Sequence, residues 1–154
     1  MISNDLLKRV TANGIEATYS HDYPQWRFST STVAFRAVQY PLCCGILILM
    51  GPDVYHRTNP YFKVDCLLLL HSAVTTYGRN NMEFVHAYGS PGRDDSWHYF
   101  TPMVTELSCC TVEQMYNSRT GNTLDRYKLT ARDPRIIREE LEVLIEKYAP
   151  KGDQ

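Results

Sequence analysis

Little in this sequence would carry the chain into a membrane. Its apolar runs are short: Cys66 to Leu70 is five residues long and ends at His71, against the roughly 18 that a bilayer-spanning helix needs. The opening residues, Met1-Ile-Ser-Asn-Asp-Leu-Leu, lack a basic segment followed by an apolar one. No secretory leader and no membrane partner are therefore expected, and the expected address is cytoplasmic. A dominant charge is missing too. Sixteen basic residues face seventeen acidic ones, for a net charge of −1. That excludes a strongly basic nucleic-acid module and a highly acidic DNA mimic, and it argues against long nucleic acid as a partner.

The spacings of familiar chemistry are absent as well. There is no Cys-x-x-Cys, Gly-x-Ser-x-Gly, His-Glu-x-x-His, Walker A or dinucleotide-type glycine pattern. His56-Arg57-Thr58 matches the His-x-Thr element of two-histidine phosphoesterases, but no second copy exists to complete their mechanism. Five cysteines, an odd number, include the neighbours Cys43-Cys44 and Cys109-Cys110. Adjacent cysteines make strained disulfides, so all five are read as small buried apolar residues. Pairing of the two doublets as a metal or redox site is the rival reading. Neither a cofactor nor a catalytic set follows from these residues.

What is present points to a folded domain. Apolar residues make up 44% and charged residues 21% of 154, a composition able to build one core. The expected organisation is a single domain over 1–150 and a frayed tail over 151–154. Eleven arginines outnumber five lysines, and tyrosine is abundant at eleven. Guanidinium forks suit phosphate and carboxylate, and tyrosine supplies amphipathic contact area, so both favour binding surfaces.

Periodicity supplies the elements. Residues 4–12 read as a short helix capped by Asn4 and stopped by Gly14. Alternation of Ile15, Ala17 and Tyr19, of Trp26 and Phe28, and of Val33, Phe35 and Ala37 reads as three strands. The apolar stretch Cys43 to Met50, bounded by Gly51-Pro52, fits a strand at the centre of the sheet. Asn59-Pro60 opens a helix that Gly78 closes, apolar on nearly every side and so buried by sheet and by partner surface; a strand at 64–71 is the rival. Met82 to Tyr88 and Trp97 to Leu107 read as strands. Thr111-x-x-Gln114 resembles a capping box opening a short helix through Tyr116. Residues 123–130 follow neither period. Asp133-Pro134 begins the last helix, with Ile137, Leu141, Leu144, Ile145 and Tyr148 on one stripe. Together these predict an α+β domain, a mainly antiparallel sheet with a long buried helix and a C-terminal amphipathic helix.

For function, a hairpin folded about Gly92 would set positions summing to 184 opposite one another. His86 would face His98, Phe84 would face Phe100 and Tyr88 would face Ser96 on one side of the sheet. Such a patch joins His86, His98, Trp97, Tyr99 and Tyr88 to Arg93 in the glycine-bearing loop, with Arg57 beside Tyr55 as a further fork. The chain is accordingly expected to be a non-catalytic binding protein. Its ligand would be a phosphate-bearing small molecule, nucleotide-like, or a protein partner, held by guanidinium forks and aromatic rings. A homo-oligomer is expected from the all-round apolar helix. The alternative is a small metal-dependent hydrolase built on the His86/His98 pair with Asp94 or Asp95. Arg126, Tyr127, Arg132 and Arg135 form a basic approach to the last helix. Arg135 lies in the first turn, where the helix dipole disfavours a cation and some anion must offset it.

Overall fold

Ser3 starts a single helical turn, α1 (Asn4–Leu7), by accepting the Leu6 N–H on its Oγ at 3.3 Å. The helix expected over 4–12 ends there, because Thr11–Ile15 leaves as strand β1 and pairs along its whole length with β2 (Gln25–Ser29). A four-residue turn closes few hydrogen bonds of its own, so the ladder wins the residues that follow. Gly14, expected to stop that helix, lies in β1 against the Trp26 ring, where an added Cβ would come within 3.7 Å. The computed structural model describes residues 2–15, 24–39, 45–50, 59–87, 102–117 and 122–150.

From β2 the chain turns back into β3 (Ala34–Gln39) and then into β4 (Gly45–Met50), both antiparallel. The Asn59-Pro60 signal marks the start of the helix two residues early: Pro60 lies in the preceding turn and Tyr61, not Asn59, takes the N-cap position. Asn59 accepts the Tyr61 N–H on its side chain at 2.9 Å, and α2 (Phe62–Tyr77) follows. Gly78 closes that helix at φ 60°, a left-handed conformation that glycine adopts without a Cβ clash. Strand β5 (Asn81–Ala87) returns parallel to β4, so β4, α2 and β5 form a crossover unit.

Two expectations fail in the next stretch. Pro102 does not interrupt a strand; it opens a helical turn over 102–104, where its missing N–H is harmless. Met103, Val104 and Leu107, spaced for a helix, enter the core. Thr111 to Tyr116 is no helix but part of β6 (Cys110–Asn117), paired residue for residue with β7 (Asn122–Thr130). That hairpin satisfies eight residues of backbone, which a short capped helix could not match. The last helix, α3 (Pro134–Tyr148), begins as predicted, with Asp133 accepting the Arg135 N–H at 2.8 Å.

The seven strands form one sheet in the order β1-β2-β3-β4-β5-β7-β6, antiparallel except at β4 and β5. The fold is α+β, and β4 is the central strand, as expected. Phe28, Phe35, Ala37, Met82, Tyr127 and Leu129 are fully buried on one face. On that side α2 lies over β2 and β3, and α3 packs on α2 through Ile137, Leu141, Leu144 and Ile145. Ten of the sixteen residues of α2 are buried within the chain. Sheet and α3 thus account for its all-round apolarity within the chain. Fully burying each of Leu67 to Leu70 contributes about 1.5–3 kcal/mol. Among the described residues no helix is long and apolar enough to cross a membrane.

Candidate binding surface

The hairpin expected about Gly92 lies, beyond Ala87, outside the described residues. A strand residue has two flanks, and Phe84 has Leu47 of β4 on one and Tyr127 of β7 on the other. His86 sits in β5 opposite Leu49 of β4. Arg57, Tyr88, Arg93, Asp94, Asp95, Trp97, His98 and Tyr99 lie outside the described residues.

The basic approach to α3 separates into different environments. Tyr127 is fully buried, whereas Arg126 occupies the other face of β7. The anion that offsets Arg135 is Asp133: one carboxylate both caps the helix backbone and holds the guanidinium at 3.0 and 2.7 Å. Those contacts hold the Asp133 carboxyl below its ordinary value. An open concavity of about 550 Å3 lies here, lined by Arg132, Asp133, Arg135, Ile136 and Glu139. With Arg135 neutralised by Asp133 and a second carboxylate from Glu139, it is poorly suited to an anion.

Other polar groups knit the fold together. Asp65, fully buried in the first turn of α2, takes both forks of Arg9 at 2.9 Å and the Thr32 hydroxyl at 2.7 Å. Arg9 in turn stacks on the Tyr61 ring at 4.0 Å. Glu106 binds Lys147 and Tyr148 at the end of α3, and Glu140 accepts from the Ser108 N–H and hydroxyl. His71 meets Glu142 at 3.2 Å between α2 and α3. Burial raises the thiols of Cys66, Cys109 and Cys110, the last two to about 12 and 11, the reverse of what an attacking thiolate needs. Among the described residues no group of three or more histidines, cysteines and carboxylates could hold a metal ion.

The sheet face turned away from the helices is organised differently. One row crosses all seven strands: Asn13, Arg27, Arg36, Ile48, Val85, Arg126 and Glu113, each opposite the next. Arg27 and Arg36 are both exposed and directly opposed, with Cβ atoms about 4.5–5.5 Å apart in such a pair. Neither has an ion-pair partner among the described residues. Across the sheet, Lys128 instead stands between Glu83 at 3.7 Å and Glu113 at 3.8 Å. Sequence reasoning missed the two arginines, although the signal was present. Trp26 and Phe28 alternate on β2, and Phe35 and Ala37 on β3, which leaves Arg27 and Arg36 as the interleaved outward positions. Neither models of known protein families nor curated proteins match this chain.

Proposed function

We propose that the chain is a non-catalytic binding protein that engages a protein partner through the sheet face turned away from α2 and α3. One observation carries this reading. Two arginines stand opposite each other on that face without a counter-charge from the described residues. Like charges so placed destabilise a sheet, and a carboxylate or phosphate supplied from outside removes the penalty. A flat sheet face suits a protein surface better than a small molecule, whose sites are concave. A nucleotide-like phosphate ligand bound by the same two forks is the competing outcome. The metal-dependent hydrolase built on His86 and His98 with Asp94 or Asp95 stands as the alternative, its residues beyond Ala87 lying outside the described ones.

The test compares the wild-type chain with Arg27→Ser/Arg36→Ser and with a charge-matched control, Lys8→Ser/Lys63→Ser, as baits in extract from the native source. A protein retained by wild type and control, but released by the face variant and by salt, supports the reading. Equal retention by both variants overturns it. In parallel, a nucleotide or other phosphorylated metabolite at about 100 times its Kd would stabilise the chain by about 2.7 kcal/mol. Such a gain, abolished by the face variant, would assign the arginines to a small ligand instead.

A further inference from the structure

Resting on that binding reading, we infer that the two arginines receive a phosphorylated side chain of the partner protein, one phosphate shared between both guanidinium forks. Charge sets the ligand class. Arg27 and Arg36 are exposed, stand directly opposite each other on β2 and β3, and form no ion pair with any described residue. No residue of β1, β2 or β3 is acidic, so these strands bring two positive charges to one spot and no carboxylate to balance them. The other end of the sheet is balanced from within, where Lys128 stands between Glu83 and Glu113.

Valence separates a phosphate from a carboxylate. One fork fills both oxygens of a carboxylate and cancels its single charge, which leaves the second arginine still facing a like charge. A phosphomonoester carries a charge of about −1.5 to −2 at pH 7 and three acceptor oxygens, so it takes two forks at once and neutralises both. The forks start close enough to share it, since directly opposed Cβ atoms lie about 4.5–5.5 Å apart. Asn13, exposed on β1 and opposite Arg27, continues the row with an amide donor. Thr11 and Ser29, paired with each other two residues along and so on the same face, add hydroxyls. A free phosphorylated metabolite would meet these polar groups alone. A phosphorylated side chain arrives with the surrounding partner surface, which supplies the remaining contact area.

Magnetic resonance on the nitrogen-15-labelled full chain tests this by following the arginine Nε–H signals during titration with two short peptides. Both are capped tripeptides with alanine at each end; the central residue is phosphoserine in one and glutamate in the other. At neutral pH the phosphoserine peptide should bind about fivefold more tightly, the scale of one added exposed ion pair. Arg27→Ser or Arg36→Ser alone should erase that preference, because a single fork already saturates a carboxylate. Lowering the pH below the second phosphate pKa of about 6 should erase it too, while arginine keeps its charge. Equal affinities at neutral pH, a preference that outlasts either single variant, or no shift with the phosphoserine peptide would overturn the inference. Repeating the extract experiment on dialysed extract, with and without phosphatase, separates this inference from the binding reading. Capture that needs the arginines and is lost after phosphatase supports both. Capture that needs the arginines but survives phosphatase leaves the binding reading standing and the phosphate wrong. Capture indifferent to the arginines sinks both.

Discussion

Replacing Asp65 by Asn keeps the side chain's shape and removes its charge, which isolates the polar cluster beneath the start of α2. The native carboxylate has no exposed surface and accepts three hydrogen bonds, two from Arg9 and one from Thr32. Removing one member of a buried ion pair costs about 3–5 kcal/mol. Arg9 keeps 26% of its side chain in solvent and remains stacked on Tyr61, so water recovers part of the loss. The expected cost of Asp65→Asn is therefore near the lower end, about 3 kcal/mol. Arg9→Met should cost more, about 4–5 kcal/mol, because it leaves an anion sealed from water with one hydroxyl facing it. Urea unfolding followed by circular dichroism gives both values by linear extrapolation. The double variant completes a cycle in which the two losses should fall short of additivity by about 2 kcal/mol. Asp65→Asn within about 0.5 kcal/mol of wild type, or strict additivity, would refute the assignment of this cluster as a stabilising clamp.

Four further outcomes are expected. Arg36→Thr should raise stability by about 0.2–1 kcal/mol by removing the like-charge opposition to Arg27; a lower melting temperature would mean that the arginine has a partner within the chain. The Tyr77 hydroxyl is buried with no hydrogen-bond partner among the described residues, so Tyr77→Phe should gain up to about 1 kcal/mol, and a loss of that size would contradict it. Burial holds His71 below the ordinary histidine value of 6.5, with Glu142 opposing the shift. The unfolded chain therefore protonates first as pH falls, and stability, full above 6.5, declines as pH drops through the lower folded value. A His71→Gln variant whose stability follows pH just as wild type does would refute this. Finally, Cys66, Cys109 and Cys110 should resist iodoacetamide at mildly alkaline pH until guanidinium unfolds the chain; peptide mapping of an early label on Cys109 would count against its burial.

The sequence by itself determined what short-range chemistry can determine. Asn59 and Gly78 bracket α2, Asp133 and Pro134 start α3, and the stripe from Ile137 to Ile145 names the buried side of that helix, because caps and a 3.6-residue period act within a few residues. The alternation at Trp26-Phe28 and Phe35-Ala37 likewise showed which residues of β2 and β3 enter the core. Tertiary structure decided which strands meet. Thr111-x-x-Gln114 carries a helix-start signal, yet β7 offers eight ladder partners and the local preference yields. Residues 4–12 keep helix only over Asn4–Leu7, Thr11 and Ala12 pair with β2 for the same reason, and Phe84 lies between Leu47 and Tyr127. Pairing joins segments tens of residues apart, and its free energy comes from the ladder and the core together, so no window of sequence contains it. The row that sets Arg27 against Arg36 and aligns both with Ile48, Val85 and Arg126 exists only once that pairing is made.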